Sequence, residues 1–314
     1  MSMGALRLAK TGAISRPAWL ESRRRGIGGS DAAAIVGLNP YVSPFQVYCD
    51  KMGLLPEKED TEAMRQGRDF EGYVARRFME STGKKVRREN YVLAHPERDF
   101  LIANVDRLVV GERAGLECKT TSVYNRTDFE GGDVPPQYYA QCLHYMLVTG
   151  FPKWYLAVLV LNKGFHVLEM DWHEADAAAL LNAEAAFWEN HVLKGVPPEP
   201  DGTPRAGEAL SKLYPNSSPG AAVNLCAKEK EIRRLLDVKA DIKGLEAEKA
   251  RLENVLKAEL KEGETGVAQG YVVEWKNASR KGVDEKRLKD GRPDVYREFL
   301  KETSYRKFTV KEMG

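Results

Sequence analysis

The feature that most constrains this chain is an ordered run of strand and helix signals between residues 100 and 193. "FLIANVDRLVV" at 100–110 and the stretch at 114–121 each read as a β-strand, joined by the turn "GERAG". "PPQYYAQCLHYMLVTG" follows and reads as a helix, with proline tolerated in its first turn. "KWYLAVLVLNKGFHVLEMDW" reads as a second hairpin turning at Asn162-Lys163-Gly164, and a helix over about 174–193 closes the run. Upstream, Met64, Phe70, Val74 and Phe78 recur at helical spacing and predict a helix from about Glu62 to Thr82. Helix, strand pair, helix, strand pair, helix fits an α/β (α+β) fold class, with a mixed central sheet flanked by helices.

The 314 residues exceed what one such layer needs, so a core with an appendage is expected. The predicted organisation is a core over 1–200, a linker over 201–225 and a C-terminal helical and small β extension over 226–314. From 226 to 261 the composition shifts to Lys, Glu, Leu and Ala, with Leu235, Val238, Ile242, Leu245, Leu252 and Leu256 at heptad spacing. An amphipathic helix or helical hairpin packed on the core is the expected form, with a true coiled coil as the alternative. Beyond it a strand at 270–276, a short helix near 284–300 and a strand at 304–310 are expected, the strands pairing as a small cap. This extension would serve assembly, DNA or a partner.

Net charge is only +2, so a nucleic-acid partner would have to be met by localised basic patches. The four cysteines form no CxxC pair and the five histidines are scattered, which argues against zinc and iron–sulfur sites. Such cysteine usage fits a reducing cytoplasm. No apolar run approaches the roughly 20 residues of a membrane span. The opening "MSMGALRLAKTGAIS" is too short and polar for a signal peptide.

In the strand "GLECKTTS", Glu117 and Lys119 point to one face and Cys118 to the other. Asp106, in the preceding strand, can lie beside Glu117 across an antiparallel pair. Two converging carboxylates repel unless a cation joins them, and oxygen-only ligands favour Mg²⁺ or Mn²⁺. A lysine beside them can orient or deprotonate a water if its surroundings lower its pKa. Metal-dependent phosphodiester hydrolysis is the chemistry such a set suits. A solvated edge hairpin with a charge pair is the plain alternative.

The Asp–x₁₀–Glu-x-Lys arrangement resembles the PD-(D/E)xK nuclease superfamily, with "NVD" at 104–106 where a proline usually precedes the acid. "WLESRRRGIGGSD", "GRDFE", "NVDRLV", "LECKTTS" and "YYAQCLHYMLVTG" occur in that order and together resemble the YqaJ-like viral recombinase family, related to lambda exonuclease. The resemblance spans about residues 19–195. It implies that Asp106, Glu117 and the backbone carbonyl of Cys118 bind the metal, that Lys119 positions or activates water, and that Glu71 helps bind a second ion. Gln141 matches a glutamine near the catalytic lysine. Gln137, Gln141 and Tyr145 share one helix face by spacing, and packing of polar groups in the core is the alternative reading for all three.

"GIGGSD" enters a helix, so its backbone N–H groups suit an anion, with the Ser30 hydroxyl and Arg23 able to add bonds to phosphate. In the family the matching Arg and Ser hold a terminal 5′-phosphate; simple helix capping by Ser30 or Asp31 is the alternative. Asp31 is expected to turn away toward its helix. Arg25 and Gly29 are further candidate contacts, and Arg76-Arg77 and "KKVRR" at 84–88 could follow a DNA backbone. The resemblance implies a 5′→3′ exonuclease on double-stranded DNA that leaves 3′ tails, assembled as a homotrimer ring and partnered by a single-strand annealing protein. A structure-specific endonuclease on the same fold and a non-catalytic DNA-binding assembly protein are the rivals.

Overall fold

The computed structural model describes residues 5–11, 15–56, 60–122, 129 and 131–312. The chain divides into two units, Met1–Tyr214 and Pro215–Gly314.

The first unit is built on a five-stranded sheet in the order β2-β5-β6-β7-β8. These strands are β2 (Val86–Arg88), β5 (Arg107–Val109), β6 (Ala114–Ser122), β7 (Lys153–Leu161) and β8 (Gly164–Asp171). β6 and β7 run parallel in register from Ala114↔Lys153 to Ser122↔Leu161, and all other neighbours are antiparallel. The parallel step needs a crossover, which α5 (Pro136–Thr149) supplies. The expected mixed sheet flanked by helices is therefore the observed class. A smaller sheet, β1 (Leu6–Lys10), β3 (Tyr91–Ala94) and β4 (Ile102–Ala103), lies beside it in the order β1-β3-β4.

Helices cover both faces. α4 (Glu62–Thr82) starts where Thr61 accepts the Met64 N–H and stops at Gly83, whose φ of 71° takes the left-handed conformation that glycine enters without strain. Its Val74, Ala75 and Phe78 pack on Leu116, Tyr155 and Ala157, with Cys118 alongside. On the opposite face α2 (Gly29–Ile35), α3 (Pro44–Lys51), α5 and α6 (Glu174–Phe187) enclose the larger core around Trp154, Leu156 and Met146. β6 therefore aims Leu116 and Cys118 at α4 and leaves Glu117 and Lys119 for the α5 face. The helix expected over 174–193 is α6 continued by a π-turn over Trp188–Val192.

The segment 201–225, expected as a linker, carries α7 (Pro204–Leu213), with Thr203 as N-cap and Ala206 and Ala209 buried. Its two alanines pack on the first unit, which accordingly runs to Tyr214.

In the second unit, α8 (Glu229–Leu260) is one unbroken 32-residue helix rather than a hairpin. None of its residues is buried. β9 (Thr265–Ala268) and β10 (Tyr271–Glu274) form a hairpin whose turn uses Gly270 at φ 80°. The strand expected at 304–310 does not form, because β10 finds its partner next door in sequence. α9 (Glu285–Gly291) and α10 (Pro293–Glu298) occupy the expected helical stretch. No helix among the described residues is long and apolar enough to cross a membrane.

Candidate active site

Arg107 opposes Leu116 in the β5–β6 ladder, so Asp106, one residue earlier, sits level with Glu117. Asp106 Oδ2 accepts the Cys118 N–H at 2.8 Å, which anchors the carboxylate to the strand that carries its partner. Glu117 is buried, with 4% of its surface exposed. Its Oε1 accepts Gln141 Nε2 at 2.8 Å and faces Lys119 Nζ at 2.6 Å. Its Oε2 is buried with no hydrogen-bond partner among the described residues. Gln141 spends its second N–H on Tyr145 Oη at 2.8 Å. The structure thus brings Asp106, Glu117, Lys119, Gln141 and Tyr145 together.

The electrostatics are unbalanced. Burial, together with the charges of Glu117 and Glu71, pushes the Asp106 carboxyl well above its ordinary value, and the Cys118 N–H and Lys119 only partly oppose this. For Lys119, burial alone would lower the pKa, but Glu117 and Asp106 outweigh it and hold the ammonium above its ordinary value. This reverses the lowered pKa expected of a base. The cause is the 2.6 Å pairing with Glu117, which stabilises the charged form. Burial also raises the Cys118 thiol, which faces the α4 side, so only the backbone of Cys118 is turned to this chemistry.

Glu71 lies on α4 at the margin of the site, where its Oε1 accepts Arg107 Nη1 at 2.5 Å. Arg107 also donates to the Asp106 carbonyl at 2.6 Å, so one guanidinium ties the helix acid to the strand acid. Gln137 is half-buried one turn before Gln141 on α5. Sequence reasoning missed Arg107, which directly follows Asp106, and Tyr138, whose ring lies 5.4 Å from Lys119 Nζ. Adjacency to known site residues was the available signal for both.

Arg23 and Ser30, the residues expected to hold a phosphate, lie together. Arg23 Nη2 donates to Ser30 Oγ at 3.2 Å and its guanidinium stacks 5.1 Å over the Trp19 ring. Asp31 turns inward as expected: its Oδ2 accepts the Gly28 N–H at 2.9 Å and meets Lys51 Nζ at 2.6 Å. Lys51 also donates to the Arg23 carbonyl at 2.9 Å and was not foreseen, because it lies twenty residues along the chain from Asp31. Arg25 does not join Arg23 and Ser30. It is exposed, and its Nε lies 3.6 Å from Glu21 on the preceding turn.

Gly29 has a steric role. A Cβ there would lie 2.5 Å from Tyr145 Cε1, so only glycine lets α2 approach α5 this closely. Contacts therefore run from the pocket helix through Gly29, Tyr145 and Gln141 to Glu117. Within the basic runs, Arg77 pairs with Glu80, Lys84 with Glu112 and Arg87 with Glu89.

Residues 18–152 match the YqaJ-like viral recombinase domain. The uncharacterised protein YqaJ of Bacillus subtilis (strain 168) is 42% identical over 311 residues, 98% of each chain. Among solved structures, an alkaline exonuclease (LHK-Exo) from Laribacter hongkongensis aligns at 18% identity, over 57% of this chain and 94% of that one, with a TM-score of 0.49. Its complex with dAMP covers the same shares at 18% identity with a TM-score of 0.50, a likeness of fold. With 42% identity over nearly the full length of both chains, the chain belongs to the YqaJ-like viral recombinase family.

Proposed function

We propose that this protein is a metal-dependent deoxyribonuclease that digests linear duplex DNA 5′→3′. It releases mononucleotides and leaves a 3′ single-stranded tail for annealing-type recombination. The observation that carries this reading is Glu117 Oε2, buried and unpartnered beside an Asp106 carboxyl that burial and like charge drive upward. A hard cation removes both penalties at once.

The residues present fit such an ion. Asp106, Glu117 and the Cys118 carbonyl are an oxygen-only set suited to Mg²⁺ or Mn²⁺. Glu71 would complete a second site on exchanging Arg107 for metal. Bound ions supply Lewis acidity at the phosphoryl oxygen and make water a better nucleophile near neutral pH. The chain's own groups do the rest. Asp106 is fixed by the Cys118 N–H and Glu117 by Gln141, so neither carboxylate reorganises during the reaction. Lys119, held as an ammonium by Glu117, orients water and offsets charge growing on the phosphate. It can accept a proton only when the carboxylate charges are taken up by cations. Arg23 and Ser30 hold the terminal 5′-phosphate and so set which diester lies over the carboxylates. A homotrimeric ring around DNA and an annealing-protein partner belong to the same proposal and rest on family membership. An alkaline exonuclease bound to dAMP shares this fold.

The test is hydrolysis of linear duplex carrying a 5′- or 3′-terminal label, in Mg²⁺ or EDTA, by the wild type and Asp106→Asn. Release of 5′-labelled mononucleotide that needs both Mg²⁺ and Asp106, with closed circular DNA untouched, is the expected result. Nicking of the circle would replace the exonuclease with an endonuclease. Binding of duplex without hydrolysis in Mg²⁺ or Mn²⁺ would leave a DNA-binding assembly protein.

A further inference from the structure

The stretch 275–311 carries a local surplus of positive charge. It holds twelve Lys and Arg against six Asp and Glu, a surplus of six, while the whole chain is only +2. The remaining residues are therefore net acidic by four. α8, in the same unit, carries eight basic and eight acidic residues and has no such surplus. Two of the six acids are committed within the stretch: Asp284 caps α9 by accepting the Arg287 N–H at 2.9 Å, and Asp294 pairs with Arg292 at 2.9 Å.

Aromatic rings are interleaved with this charge. Phe299, Tyr305 and Phe308 are 76%, 79% and 78% exposed, and Trp275 is 48% exposed. One exposed ring is ordinary, but several within one short basic stretch mark a contact surface. Residues 300–312 form neither helix nor strand, so Lys301, Tyr305, Lys307, Phe308 and Lys311 follow one another along an irregular backbone.

We infer that residues 275–311 are a binding arm for single-stranded DNA. Spaced cations suit a polyanionic backbone, and exposed rings suit base faces that are not already stacked. A duplex offers the phosphates but keeps its bases stacked on one another, which leaves the rings without a partner. A partner protein is the competing occupant and is separated by the test. That the bound strand is the 3′ tail left by digestion rests on the exonuclease reading; the chemistry of the arm does not.

The experiment uses the full chain in EDTA, where metal-dependent hydrolysis is off. The probes are a labelled oligothymidylate and a blunt duplex of the same length. The triple variant Phe299→Ala, Tyr305→Ala, Phe308→Ala is expected to bind the oligothymidylate about tenfold more weakly or worse. Its duplex affinity stays within about twofold of wild type, since phosphate contacts persist. Tryptophan at the same three positions restores single-strand binding. Lys301→Gln, Lys307→Gln, Lys311→Gln lowers the log–log salt slope of single-strand binding by about 2. Because these side chains are exposed, an unchanged thermal unfolding curve certifies each variant as folded. Wild-type single-strand affinity in the ring variant overturns the inference. So does an equal loss on both probes, and so does unchanged DNA binding with an altered oligomeric state, which would assign the arm to protein contact. Wild-type hydrolysis of linear duplex in Mg²⁺ is measured separately: hydrolysis without arm binding sinks only the arm, and arm binding without hydrolysis sinks only the exonuclease.

Discussion

Two lysine–carboxylate pairs in the first unit share a 2.6 Å separation and have opposite characters. Lys51–Asp31, beside Arg23 and Ser30, is complete: Asp31 also accepts the Gly28 N–H, and Arg23 Nη2 lies 3.8 Å from its other oxygen. Burial alone would raise the Asp31 carboxyl, but Lys51 and Arg23 outweigh it and hold the group below its ordinary value. Lys119–Glu117 is incomplete. One Glu117 oxygen is unpartnered, and the neighbouring Asp106 is driven up rather than down. Nearly the same chemistry thus makes a structural element in one place and a site short of positive charge in the other. What differs is the count of cations per carboxylate. An unpartnered buried oxygen alone is not diagnostic, since Glu184 has one while its Oε1 meets His144 Nδ1 at 2.7 Å. At Glu117 the orphaned oxygen coincides with a second acid, and the proposed cation rests on that conjunction.

The largest effect should separate activity from stability. Asp106→Asn is expected to lower hydrolysis of linear duplex by at least about a thousandfold, while metal-free thermal stability is kept or raised, because a strained carboxylate is replaced by a neutral group that can still accept the Cys118 N–H. A fall in metal-free melting temperature would mean that the site is as complete as the Asp31 pair.

Asp31→Asn should do the reverse. It strands a buried ammonium, so stability should drop by about 3 kcal/mol, read by denaturant titration. A change under about 0.5 kcal/mol, the level of an ordinary surface substitution, would show that Lys51 is solvated or re-paired.

Acid titration sharpens the contrast. Asp31's folded pKa is depressed, so its contribution is present above the ordinary carboxylate value of about 3.9 and is lost as pH falls through the folded value. Asp106's folded pKa is raised, so metal-free protein loses stability as pH climbs above about 4 toward that folded value. Melting temperatures in EDTA across this range should diverge from Asp106→Asn toward neutral pH and from Asp31→Asn only above the acid limb. Parallel curves for all three proteins would erase the distinction.

Gly29→Ala probes the contacts that join the two regions. The added Cβ would displace the Tyr145 ring and, through it, Gln141 from Glu117. A misplacement on the order of 1 Å should cost up to about a hundredfold in kcat. Unchanged turnover would show the pocket and the site to be mechanically independent. The smallest effect belongs to Tyr138→Leu, which removes a ring beside Lys119 worth about 0.5–1 kcal/mol, seen as a few-fold rate change.

The primary structure by itself determined the layered fold and the core of the site. Strand alternation puts Glu117 and Lys119 on one face whatever surrounds them, and a short hairpin returns Asp106 beside them, so spacing alone specifies that triad. Capping residues and left-handed glycines likewise mark α4 at Thr61 and Gly83. Only the tertiary structure decided which oxygen of Glu117 is left without a partner, that Lys119 is held charged rather than neutral, and that Arg107 holds Glu71. Those outcomes depend on burial and on groups far apart in sequence, as Lys51 with Asp31 and Gln141 with Glu117 illustrate. The extension shows the same division. Its heptad spacing specified helix, single or folded as a hairpin, because helical hydrogen bonds are local. Whether the apolar stripe is buried depends on a facing surface that spacing cannot encode, and in α8 no residue is buried.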